Sequence, residues 1–362
     1  YPVPSGFNCL CSDNLPDVSI KPEEHFNTVL WAGDDSAPRT ITGVGFNPDL
    51  AWVKGRTAAT DNHISDSIRG ANNNLVTNST GAEYNPATAT SHGGIGAVTT
   101  DGFTLISGTA DPDSVNESGQ TYASWNWKAG GTAVSNTDGT ITSSVSANTD
   151  AGFSIVTYSG NLTAGATVGH GLGVVPSMMI FHRLNTGGTD WIIYHSTLGA
   201  TQNLAFDTSA AITSSTRFNN TAPSSSVFTL GTTVAVNGSA DTYVAYCFHS
   251  VEGYSKVGSY VGNGVVDGTF IYTGFKPAFV MIKNTTTTGT NWTVIDTVRN
   301  EYNVAGKELY PNEADAEADY GRIDIVSNGF KNRIVGNYGN SSGDTYIYLA
   351  FAESPFKYSN AR

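Results

Sequence analysis

Charge is what this sequence has least of. Charged side chains make up 14% of its 362 residues, against roughly 25% in an average soluble domain. Cations are the scarcer kind, 18 Lys and Arg against 31 Asp and Glu, for a net charge of −13. A phosphate-tracking surface needs clustered Lys and Arg to displace counterions, so no nucleic-acid partner is expected. The same balance gives no attraction to anionic lipid. No apolar run nears the ~20 residues of a membrane helix, and no membrane insertion is expected. Cysteine is scarce too: Cys9 and Cys11 stand one residue apart and Cys247 lies in an apolar run. Three are too few for a disulfide scaffold, and Cys-x-Cys without a second pair is a poor zinc signature. All three read as structural, and no cofactor or metal is expected. The chain opens at Tyr1 rather than Met, and residues 1–26 lack the charged-then-apolar pattern of a leader. It reads as a processed or truncated product with an upstream segment missing.

Glycine is plentiful at 40 residues, and Val, Ile, Tyr, Phe and Trp recur in short runs between polar clusters. That mixture favours many short strands and tight turns. The runs also repeat. "ESGQTYASWNWKAGG", "NGSADTYVAYCFHSVEGY" and "SSGDTYIYLAFAESPFK" each lead a turn into Thr-Tyr and then an alternating apolar strand. Upstream stand a Gly after a short strand (Gly33, Gly160, Gly262) and, 15, 16 and 15 residues on, a Pro opening an apolar strand (Pro48, Pro176, Pro277). Asp66, His195 and Asp296 follow the prolines by 18, 19 and 19 residues. Leu75, Leu204 and Leu309 come next, each with Asn78, Asp207 or Asn312 three positions on. An ordered set of landmarks at near-constant spacing marks internal repeats. The fold class expected is all-β: three tandem homologous β-sandwich-like domains of about 100 residues. The boundaries expected are an N-terminal arm over 1–25, repeats over 26–130, 153–252 and 253–362, and a Gly/Ser/Thr-rich linker over 131–152 that pairs locally through "GTITSSV".

Alternation assigns faces. After each Thr-Tyr, positions +1, +3 and +5 hold Ala123, Trp125 and Trp127, then Val244, Tyr246 and Phe248, then Ile347, Leu349 and Phe351. They share one side of a strand and are expected in the core.

Candidate chemistry is sparse. "GNSSG" (339–343) matches G-x-S-x-G, but the motif needs a strand-to-helix turn and here it precedes a strand, so it reads as a hairpin turn. His170, His182 and His195 cluster in the middle repeat without a carboxylate motif. Asp66 and Asp296 are expected to pair with Arg69 and Arg299 three residues on, where the middle repeat has Leu198. Glu313, Asp315, Glu317 and Asp319, and separately "DPDSVNES" (111–118), are weak calcium candidates, since calcium needs six to eight converging oxygens. The Asn-x-Ser/Thr sequons at Asn78, Asn161 and Asn237 follow from composition. No catalytic pair is nominated, and the chain reads as a non-enzyme. Exposed aromatics are what sugars stack on, and Trp31, Trp191 and Trp292 are the candidates for that role.

"GFNPDLAWVKGR", "SIRGANNNL", "TDGFTLISG", "TYASWNWKAGG", "GHGLGVVPSMMIFHR", "YCFHSVEGYSKVGSYVGNG" and "GFKPAFVMIK" resemble segments of virion-associated repeat proteins of tailed bacteriophages, marine and cyanobacterial ones above all. The resemblance covers nearly everything after residue 26 and brings no catalytic residues with it. It implies a virion structural protein at the particle surface: a tail fibre, knob or capsid decoration that helps attach to a host. The partners it implies are further copies of the chain (a trimer), other virion proteins and host-surface glycan. A monomeric carbohydrate-binding module is the alternative, and a polysaccharide-degrading enzyme a more distant one.

Overall fold

The structure, a computed structural model, describes residues 20–89, 91, 93–109 and 114–353. The architecture is all-β and sandwich-like. Three antiparallel main sheets have the same strand order. In the first, Phe26–Ala32 pairs with Thr121–Trp127, then Leu50–Gly55, Asn62–Asp66 and Asn74–Val76 follow. In the second, Phe153–Ser159 pairs with Thr242–Phe248, then Met178–Arg183, Ile192–His195 and Gln202–Ala205. In the third, Ser255–Val261 pairs with Thr345–Ala352, then Pro277–Asn284 and Thr293–Asp296. The Thr-Tyr phrase is thus the second strand of each sheet, inserted between the first strand and the proline strand.

Two contacts explain why that phrase recurs. The hydroxyls of Tyr122, Tyr243 and Tyr346 each accept the backbone N–H of the residue five positions earlier, Glu117, Gly238 and Ser341, at 2.8, 2.6 and 2.9 Å. The carbonyls of those same three residues lie against Gly33, Gly160 and Gly262, where any Cβ would overlap them. The glycine and the tyrosine therefore close one turn from its two sides. Each tyrosine ring also stacks on the residue two before that glycine: Trp31 on Tyr122, Tyr158 on Tyr243 and Tyr260 on Tyr346, at 5.6, 5.2 and 5.0 Å.

The inserted strand is buried on both faces. Tyr122, Tyr243, Cys247, Tyr346 and Tyr348 turn outward into three separate cores, each roofed by a small outer sheet. The outer sheets are Arg39–Thr42 with Gly102–Ile106 and Gly94–Thr99, then Ala166–Gly169 with Val227–Leu230, then Phe270–Tyr272 with Gly329–Asn332, Ala318–Val326 and Ala305–Glu308. Trp125, Trp127, Val244, Tyr246, Phe248, Ile347, Leu349 and Phe351 turn the other way, into one core shared by all three main sheets. Phe26, Trp127, Phe279 and Phe351 pack there with centroids 5.0–6.0 Å apart. The centre keeps a cavity of about 20 Å³, walled by apolar groups such as Leu50, Ile180 and Phe279.

The segment read as a linker is ordered as two strands, Val134–Asn136 and Ser143–Asn148, which extend the second sheet beyond Phe153–Ser159. Of the N-terminal arm, residues 1–19, with Cys9 and Cys11, lie outside the described residues; Ile20 is buried in the shared core.

One core for three sheets predicts one cooperative unfolding transition, with calorimetric and van't Hoff enthalpies equal. Phe279→Ala should lower that whole transition by about 3–5 kcal/mol. Resolved transitions, with only one displaced by the substitution, would show independently stable units.

Candidate functional site

Most polar candidates from the sequence lie in the three seams between main sheets, and each seam is built on the same plan. One residue of the hairpin reaches back to the preceding sheet. Trp191 Nε1 donates to the carbonyls of Val76 and Ser79, both at 3.1 Å; Trp292 Nε1 donates to Ala205 at 2.9 Å; and Asn62 Nδ2 donates to Tyr310 at 3.1 Å and Glu313 at 2.9 Å. The third of these joins the first sheet back to the last. A second layer repeats the circuit with buried bases. Lys54 Nζ donates to Ala314 O at 2.7 Å, His182 Nε2 to Gly81 O at 2.8 Å and Lys283 Nζ to Ser209 O at 3.1 Å. A third layer is backbone: Glu83, Ile212 and Glu317 N–H donate to Leu184, Thr285 and Arg56 O at 2.9, 3.2 and 2.7 Å.

The innermost layer carries charge in two seams only. Trp125 Nε1 donates to Asp296 at 3.0 Å and Tyr246 Oη to Asp66 at 2.8 Å. Both acids hold the expected arginine, Arg299 and Arg69, at 2.6 Å, and those arginines continue to Glu317 at 3.0 Å and Glu83 at 3.1 Å. Burial alone would raise Glu317, but the hydrogen bonds and charges of Arg56 and Arg299 outweigh it and hold the carboxyl below its usual range. In the remaining seam the partner strand offers Leu349, which has no donor. There His195, Leu198 and Ile212 replace acid, arginine and acid. His195 accepts the Thr197 N–H on Nδ1, and burial lowers its pKa to about 4, so the ring is neutral.

These contacts correct the stacking assignment. Trp31, Trp191 and Trp292 are 8%, 0% and 1% exposed and offer a sugar no ring face. Trp31 roofs Tyr122 and donates to Val115 O at 3.1 Å, while Trp191 and Trp292 are seam residues. His182 stacks on Trp191 at 4.1 Å, and His170 meets Ser224 O, far from a shared ligand geometry with it. Ser341 sits in the tyrosine-closed turn with its hydroxyl donating to Asn337. Glu317 is committed to two arginines, whereas Asp319 faces a cleft. Among the described residues no three His, Cys, Asp or Glu side chains converge as a metal site would require; 111–113 of the second acidic segment lie outside them. Asn237 is buried and gives Nδ2 to Thr163 and Gly231, which closes that sequon to a modifying enzyme.

Two seams open outward into matching clefts. One, of about 540 Å³, lies between the first and second sheets beside Arg69 and Leu184. The other, of about 470 Å³, lies between the third and first, beside Arg299 and Arg56. The second has an element the first lacks. From Asp66 to Leu75 and from His195 to Leu204 is 9 residues, but from Asp296 to Leu309 is 13, an insertion of 13 − 9 = 4. It places Tyr302, 82% exposed, on the cleft wall. Sequence reasoning passed over this residue, although subtracting landmark positions already marks the extra four.

One seam residue breaks the pattern in a titratable way. Asn78 Nδ2 donates to Asp61, and Asn312 Nδ2 to Asn291, both at 2.8 Å; the middle unit has Asp207 facing Asp190. Burial first, and Asp190 second, raise Asp207 to about 7. With the folded pKa above the unfolded one of 3.8, stability is full below that value and is lost as pH rises through about 7. Asp207→Asn should therefore leave stability near wild type at pH 3.5. At pH 8 it should add on the order of 2 kcal/mol, discounted for the part of the carboxyl that solvent reaches. Urea unfolding at both pH values checks this, and parallel profiles would mean that Asp207 does not take up the proton.

Neither the search of curated proteins nor that of solved structures finds a match. A family model described as a domain of unknown function (DUF7483) matches residues 21–355, a span that takes in all three main sheets, their seams and the Tyr302 cleft. The chain belongs to the DUF7483 family.

Proposed function

We propose that this chain is a non-catalytic structural component of a tailed-bacteriophage virion, carried on the particle surface as a tail-fibre, knob or decoration element and contributing to host attachment. On this reading it is one β-unit triplicated within a single chain. The observation that carries the proposal is the closed circuit of seams. Three sheets interlocked around one core, with the last sheet bonded back to the first, make a body suited to mechanical exposure outside a cell. The buried carboxylates of Asp66 and Asp296 are bound to arginine rather than left to act on a substrate, which supports a scaffold over a polysaccharide-degrading enzyme. The resemblance of the repeated phrases to phage virion proteins supplies the setting. Further copies of the chain and other virion proteins are the partners proposed.

Immunogold labelling with antibody raised against the recombinant chain tests the setting, on particles purified from the culture that supplies the sequence. Label at a fixed place on intact particles is expected; label confined to cells, with none on particles, would end the proposal. Light scattering after size exclusion gives the native mass, for which a stable assembly larger than 38.1 kDa is expected.

A further inference from the structure

We infer that the cleft between the third and first main sheets, walled by the inserted loop and its Tyr302, binds a neutral glycan. The inference deepens the attachment half of the proposal above and rests on it for its biological setting alone.

The argument begins with broken symmetry. Two of the equivalent corners turn with no residues to spare, and the third carries four more. An insertion that merely lengthened a loop would be left to solvent, yet this one is fastened at both sides. Buried Asn300 gives Nδ2 to Asp296 O and Lys307 O, both at 3.0 Å, and accepts Gly306 N–H at 3.0 Å and Lys307 N–H at 2.8 Å. Asn303 both gives to and accepts from the backbone of Ile325 at 2.8 Å. The loop therefore presents Tyr302 already positioned, so a ligand meets it without the cost of ordering the chain. Val298 and Val304, 41% and 45% exposed, extend the apolar surface beside it. The tyrosine stands between two adjoining clefts of about 470 and 390 Å³, within the range of small-ligand sites.

The polar groups select the ligand. Arg56 is already bound through Nη2 and Nε to the two carboxylate oxygens of Glu317, at 2.9 and 3.0 Å. Lys307, Glu301 and Asp319 line the same cleft and have no ion-pair partner among the described residues. Two free carboxylates against one free ammonium, on a chain of net charge −13, disfavour an anionic ligand. An aromatic face suits the apolar C–H side of a sugar ring, and flanking carboxylates accept pairs of hydroxyl protons.

The test is a glycan microarray bearing neutral and acidic glycans, probed with wild type, Tyr302→Ala, Asp319→Asn and Tyr272→Ala. Tyr272 is 64% exposed but lines neither cleft. Binding to neutral spots is expected, reduced at least tenfold by Tyr302→Ala, weakened by Asp319→Asn and unchanged by Tyr272→Ala. Tyr302 and Asp319 are exposed, so unfolding temperatures should match wild type and separate lost binding from lost fold. A blank array, binding to acidic spots alone, or neutral binding indifferent to Tyr302→Ala would overturn the inference. Labelled particles with a blank array would sink the glycan site and leave the virion role standing; bound neutral glycans with unlabelled particles would do the reverse.

Discussion

In each main sheet the strand that opens with Thr-Tyr is buried on both sides. Trp125 and Trp127 leave one face and Tyr122 the other, and the second and third sheets repeat this with Tyr246 and Tyr243, Leu349 and Tyr346. A strand of that kind needs two covers. The small outer sheets supply one, and only the other two main sheets are available to supply the second. The shared core is thus the answer to a requirement set within single strands, and the seams are where the three answers meet.

Meeting there has a polar cost that each seam handles alike: side chains of each sheet donate to the one before it, and the backbone N–H groups of Glu83, Ile212 and Glu317 donate to the one after. Indole, amide, lysine and histidine side chains direct their donors to backbone carbonyls across the seam, so that those donors are not buried unpaired. The innermost layer shows how interdependent these choices are. Where the facing strand carries a donor, Trp125 or Tyr246, the acid and arginine are present. Where it carries Leu349, acid, arginine and second acid are all gone, because a buried carboxylate without partners is far more costly than a neutral His195.

Much of this could be read from the residues. Gly33, Gly160 and Gly262, the three prolines and the three tyrosines mark matching strands, and the Asp66–Arg69 and Asp296–Arg299 pairs follow from a spacing of three. The alternation after each tyrosine separates two faces correctly. What alternation cannot say is what covers a face. Trp191 and Trp292 at a hairpin look alike whether water or a neighbouring sheet lies above them, and the carbonyls they reach at Val76 and Ala205 lie 115 and 87 positions earlier, in the preceding unit. Tyr302 was hidden for the opposite reason: it belongs to no landmark, and only the length of its loop distinguishes it.

The rings of Phe26 and Phe351 stack 5.0 Å apart, which sets the opening strand of the first sheet beside the closing strand of the third. The seam that no covalent link spans has side-chain and backbone layers laid out on the same plan as the two that the chain crosses. The body therefore has no privileged starting point: a circular permutant joined across those phenylalanines and opened between the second and third sheets would keep every seam intact. Connectivity here records the order in which the sheets are synthesised, while the non-covalent circuit determines how they stand.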